Sequence, residues 1–267
     1  MKTYAEKELV KFEGNWHSIV KESLQNKVPI ASSREIVSLR NKLPYEHNIW
    51  RYGGWTKEQP IYAPKNQGIL VMNSMLLKPE LAEKVVEASR NNKYLELSKS
   101  QYEKFLRTAE KEEKSKKEER SVLILPSRNN FEIFPKNNYG FAENLFGKEN
   151  AEKYFKEKGI NSITFYTIDS DYVDKQNNPI TTELWFRNLD GRSGLVGKGR
   201  YLEYDDGRAF GVREVSAEGT QKILLPSKQK EIKDYVNILK GIKDGKIPNS
   251  KVEKVIKGLE RLISKKP

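Results

Sequence analysis

The sequence predicts an α+β protein: an N-terminal helical part, a central mostly antiparallel β-sheet with one packed helix, and a C-terminal helical hairpin. Three observations carry this prediction. Apolar residues recur at three- and four-residue spacing before residue 115 and after residue 227, which is the helical period. Between these regions lie short β-branched and aromatic runs such as "SITFYTID" and "RAFGVREV". Asp-Gly pairs at 190–191 and 206–207 stand between such runs, a strong turn signal. The expected division is a mainly helical region at 1–115, a sheet domain at 121–226 and a basic helical hairpin at 227–267.

Residues 4–25 read as a helix whose stripe is Leu9, Phe12, Trp16, Val20 and Leu24. Ser32 with Glu35 forms a capping box, and Ile36, Val37, Leu39 and Leu43 continue a second helix up to Pro44. The stretch 45–68 holds Gly, Pro and several large aromatics without a period, so an ordered loop with short strands is expected. "ILVMNSMLL" (69–77) reads as a buried strand or as the lead into a helix. Pro79 suits a first helical residue, with Leu81, Ala82, Val85 and Val86 behind it. "YLEL" (94–97) is a short link or strand. Ser98 with Gln101 then opens a long helix through Tyr102, Phe105, Leu106 and Ala109. Its charged continuation, 110–120, is the expected domain boundary.

Seven runs read as strands beyond that point: "SVLILP", "FEIF", "SITFYTID", "TTELWFRNL", "LVGKGRYLEY", "RAFGVREV" and "QKILLP". "ENLFGKENAEKYFKEKG" (143–159) supplies one helix closed by Gly159. The tail returns to helical spacing, with Ile232, Val236, Leu239 and Ile242 on one stripe and Val252, Val255, Ile256, Leu259, Leu262 and Ile263 on another.

Composition excludes several chemistries. There is no cysteine, so disulfides, thiolate zinc sites, iron–sulfur clusters and a cysteine nucleophile are ruled out. His17 and His47 are the only histidines. No P-loop, G-x-G-x-x-G or G-x-S-x-G string is present, so no cofactor and no catalytic residue is assigned. No apolar run nears the roughly 20 residues of a membrane span, and the N-terminus lacks a signal-peptide pattern. A cytoplasmic protein without a membrane partner is expected.

The net charge is +12, distributed as +2 over residues 1–50, +4 over 51–120, −1 over 121–226 and +7 over 227–267. A basic region on an otherwise balanced chain points to a polyanion, nucleic acid first. Two stretches carry candidate contacts. In "YEHNIWRYGGW" (45–55), Trp50, Arg51, Tyr52 and Trp55 combine ring faces for base stacking with a cation. In 185–214, Arg187, Arg192, Lys198, Arg200, Arg208 and Arg213 read as a basic β-ribbon, and arginine's planar fork suits phosphate. The leading expectation is a nucleic-acid-binding protein, DNA or RNA, holding phosphates on the ribbon and the lysine-rich tail.

The stretch "ITFYTIDSDYVD" (163–174) raises an alternative. On one continuous strand Ile163, Phe165, Thr167, Asp169 and Asp171 would share a face, and paired carboxylates can hold a divalent ion in a nuclease or phosphodiesterase. Aspartate is also an ordinary strand-end residue, and the expectation is a strand end without metal. A structural or viral assembly protein is the third reading.

Overall fold

In the computed structural model, which describes residues 7–187, 194–199 and 202–214, the first described element is a strand. The N-terminal half runs β1 (Lys7–Glu13), α1 (Trp16–Asn26), α2 (Ser33–Lys42), α3 (Asn48–Arg51), β2 (Gly54–Trp55), β3 (Gln59–Tyr62), β4 (Ile69–Val71), α4 (Pro79–Arg90), β5 (Leu95–Glu96) and α5 (Lys99–Lys114). The rest runs β6 (Val122–Ile124), β7 (Phe131–Ile133), α6 (Tyr139–Phe146), α7 (Lys148–Lys156), β8 (Ile163–Tyr166), α8 (Ser170–Asp174), β9 (Ile180–Thr181), β10 (Trp185–Phe186), β11 (Gly194–Val196) and β12 (Arg208–Glu214). The class is α+β. The tail 227–267, the "QKILLP" run and the first Asp-Gly turn lie outside the described residues.

The strands make two sheets. One has seven strands in the order β1-β12-β2-β10-β11-β8-β7, and the other has five in the order β5-β9-β3-β4-β6. Among the described residues, every pairing is antiparallel except β11 with β8 and β12 with β2. Strands from before and after residues 115–121 therefore share both sheets, and residues 7–214 form one unit. The expected boundary does not divide them into separate cores. Glu112 shows why the charged stretch belongs to the body. It is buried, pairs with Lys117 at 2.8 Å and accepts the Ser121 amide at 2.7 Å, so it ties the end of α5 to the start of β6.

Local signals were obeyed where side chains satisfy the backbone directly. Both capping boxes form, Ser32 with Glu35 and Ser98 with Gln101, and α4 begins at Pro79. The expected helix over 4–25 is corrected. Residues 7–13 are a strand, because β12 offers a seven-residue partner edge and pairs Leu9 with Val212 and Phe12 with Ala209. Helix begins only at Trp16, where the Asn15 side chain accepts the Ser18 amide. Its buried stripe is Trp16, Ile19, Val20 and Ser23, while Leu24 is 55% exposed. The single helix expected at 143–159 is two. Gly147 adopts φ +84° between α6 and α7, a backbone conformation that favours glycine.

Register divides the seven-stranded sheet into two rows of side chains. Phe186, Leu195, Phe165 and Phe131 are successive cross-strand partners and belong to the largest apolar cluster, with Phe146, Tyr154 and Phe141 of α6 and α7. The adjacent row is Ala209, Trp55, Trp185, Val196 and Tyr166. Alternation turns this row to the opposite face. At its Trp55–Ala209 end it is covered by α1 and α4, through Trp16, Ile19, Val85 and Val86. Trp185, Val196 and Tyr166 remain partly exposed at the other end.

Candidate nucleic-acid interface

A cleft of about 700 Å³ lies over that uncovered half of the row. Its floor is Trp185, Val196 and Tyr166, and the buried Trp55 closes one end. Arg187, Lys198 and Arg208 stand around it with Tyr204 and Asp206. Trp55 is wedged edge-on between Trp16 (5.8 Å) and Trp185 (5.3 Å). Gly207 completes this end, because a Cβ there would overlap the Trp55 ring. Among the described residues, the cleft thus has a largely aromatic floor with Arg187, Lys198, Arg208 and Asp206 at its edge.

The cations are held by different means. The guanidinium of Arg187 and the ammonium of Lys198 lie 5.8 and 5.4 Å from the centre of the Tyr166 ring, within cation–π range. Arg208 lies 4.5 Å over Tyr52, which is 40% exposed, and bonds Glu13 at 3.3 Å. Lys198 has the firmest backbone. The carbonyls of Gly197, Lys198 and Gly199 each accept a side-chain hydroxyl, from Tyr62 (2.8 Å), Tyr94 (3.1 Å) and Thr182 (2.7 Å). Three hydroxyls from the region of the five-stranded sheet thereby pin three consecutive peptides, while the Lys198 side chain stays exposed. A cation on so constrained a loop loses little backbone freedom on binding an anion.

Arg187 is anchored from below by a residue that sequence reasoning missed. Arg40 is only 1% exposed and donates to the carbonyls of Ile49 and Arg187 and to the Tyr154 hydroxyl, each at 3.0 Å. Its guanidinium stacks on Phe186 (4.4 Å) and Trp50 (5.4 Å). It fixes the backbone at the point where Arg187 leaves β10.

The expected site residues separate clearly. Arg187, Lys198 and Arg208 come together in the cleft, and Tyr52 packs under Arg208. Trp55 borders the cleft but is corrected as a stacking face, because it is 4% exposed and packed between Trp16 and Trp185. Trp50 is corrected. It is 2% exposed, stacks on Tyr154 and donates its indole N–H to the Leu43 carbonyl, so it belongs to the core and offers no face to a base. Arg51 is exposed at the end of α3, away from the cleft lining. Arg213 lies five residues along β12 from Arg208. Arg192 and Arg200 are outside the described residues. The ribbon is also corrected, because β11 and β12 are separated in the sheet by β10 and β2. The cations meet across several strands rather than along one hairpin. Trp185, Tyr166, Tyr204 and Asp206 were missed. The Trp185-to-Arg187 spacing of two was the available signal, since i and i+2 share a face.

Asp169 and Asp174 have structural partners. Strand β8 stops at Tyr166, so Asp169 and Asp171 never continue its face. Asp169 caps α8 by accepting the amides of Asp171 (3.0 Å) and Tyr172 (3.1 Å). Asp174 accepts the Lys65 amide and pairs with Arg128, and both hold its carboxyl below the usual range. Among the described residues, no three His, Asp or Glu side chains group as a metal site.

No family model matches the chain, and no curated protein does. A solved structure described as "Accommodation of massive sequence variation in Nanoarchaeota by the C-type lectin fold" aligns with 78% of this chain and 98% of its own, at a TM-score of 0.50 and 14% identity. At that identity the likeness concerns the fold: this chain is similar to a C-type lectin fold, itself α+β. Among the described residues, no helix is long and apolar enough to cross a membrane.

Proposed function

We propose that this chain is a binding protein for single-stranded nucleic acid, DNA or RNA, whose bases stack in the aromatic cleft while phosphates meet Arg187, Lys198 and Arg208. The observation that carries the reading is the convergence of these cations on the partly exposed row Trp185, Val196 and Tyr166. Stacking on aromatic faces with cations along the backbone is how such strands are held, and each stacked base contributes about 1–3 kcal/mol. A duplex hides its base faces, so the aromatic floor favours a single strand. Asp206 at the rim can accept from a base amino group or a sugar hydroxyl. The net charge of +12 adds long-range attraction, with +7 of it in residues 227–267. The fold likeness bears on the scaffold and leaves the ligand to be argued from these residues.

The test is a fluorescence titration. A single-stranded oligonucleotide is expected to quench tryptophan emission, and Trp185→Phe to remove most of the quench. Lys198→Ala is expected to weaken binding and to flatten the dependence of log K on log salt by about 0.7, the share of one phosphate contact on a single strand. Salt-independent binding, or none at about 10 µM protein, overturns the reading.

A further inference from the structure

A second cleft, of about 410 Å³, adjoins the first, and Lys198 is the residue that lines both. The two differ in chemistry. The first is floored by rings. The second presents hydrogen-bonding groups: Asn129, Asn130, Thr167, Asp169 and the edge-to-face pair Tyr94 and Tyr172, whose ring centres are 5.7 Å apart. The Asn130 side-chain oxygen accepts the Thr167 amide at 2.8 Å. That bond fixes which way the carboxamide faces and leaves its amino group to donate. Lys198 is pinned at this junction by the Tyr94 hydroxyl on its carbonyl, while its ammonium reaches over Tyr166 of the first cleft.

We propose that the two clefts are consecutive nucleotide subsites. The phosphodiester linking two nucleotides sits on Lys198, one base stacks in the aromatic cleft, and the next is read by its edge at Asn130 and Asn129. This rests on the reading of the first cleft as a nucleic-acid site and adds two things to it. The smallest good ligand is a dinucleotide, and sequence preference resides in one of its two positions. Ring stacking tolerates every base, since each has a π-face. Carboxamides and carboxylates discriminate, because they match the donor and acceptor pattern of a base edge. A base of the wrong pattern leaves those groups unpaired.

The experiment titrates the full-length protein with the mononucleotides and with dinucleotides varied at each position in turn. Dinucleotides are expected to bind about tenfold or more tighter than mononucleotides, the gain of one further stacked or paired base. Changing the base at one position is expected to alter affinity by about fivefold or more, and at the other by less than about twofold. Asn130→Ala should flatten the preference and bring the dinucleotide toward mononucleotide affinity. Should that variant lower the melting temperature, Asn130→Asp keeps the acceptor for the Thr167 amide and replaces the donor by an anionic oxygen; it is read by its base preference, since the added charge lowers affinity for every dinucleotide. Equal affinity for mononucleotides and dinucleotides, or a preference that survives both variants, overturns the two-subsite proposal while leaving the first cleft's role standing. Absence of binding by every mononucleotide, dinucleotide and longer strand overturns the underlying reading as well.

Discussion

Glu183 shows how a single residue records the physics of this interior. It is 1% exposed, accepts the Ser74 hydroxyl at 2.6 Å on one oxygen, and has no partner on the other. Burial pushes its carboxyl well above the usual range, and the neighbouring Glu58 adds to the rise. Glu58 is buried too, and burial raises it as well, but it accepts the Ser33 amide and hydroxyl and so is the better placed of the two to keep a charge. A carboxyl with a raised folded-state pKa holds its proton in the fold and loses it in the unfolded chain. Its stabilisation is therefore complete below the unfolded value of about 4.3 and declines as pH rises through the folded value. Glu183→Gln, a neutral isostere, is expected to flatten that decline. Melting temperatures of the two proteins between about pH 4 and pH 9 check this, and parallel curves would show that the interior tolerates the charge. Nothing in the sequence around Glu183 distinguishes it from a surface glutamate. Its partner Ser74 is 109 positions away and also contacts Gln59, which in turn donates to Thr181, so its environment is assembled from distant segments.

Elements were legible where the deciding interactions are local, and obscure where they are remote. The two capping boxes lie within four residues each, and both formed. Ser98→Ala is accordingly expected to lower stability by about 1 kcal/mol, read by denaturant unfolding, without changing oligonucleotide affinity. A loss of affinity of similar size would tie α5 to the interface. Strand β1 failed as a prediction for the opposite reason. Leu9, Phe12 and Trp16 fit a helical stripe, but the pairing that makes 7–13 a strand comes from residues 208–214, about two hundred positions away. Sequence periodicity cannot weigh a partner edge that distant. The Asp-Gly turn at 206–207 was placed correctly, yet it leads β12 to β1 and β2 instead of back to β11.

For the molecule as a whole, the cleft exists because helices cover only part of one sheet face. Helices α1 and α4 bury the Trp55 and Ala209 end, and the remaining rings are left as the floor of a cleft. Part of the candidate site was legible: Arg187, Lys198 and Arg208, which line the cleft, could be named from residue type and clustering. Tyr166 could not, because it joins the others only through the strand order β12-β2-β10-β11-β8. Trp50 was misread since an aromatic beside Gly-Gly looks the same whether it faces a ligand or Tyr154. The central claim is that a single strand lies in this cleft, and photo-crosslinking tests it most directly. A photoreactive single-stranded oligonucleotide, irradiated with the full-length protein and mapped by peptide mass spectrometry, should attach to Tyr166, Trp185 or Tyr204. Adducts confined to α5 or to residues 227–267, with none in the cleft, would contradict the account.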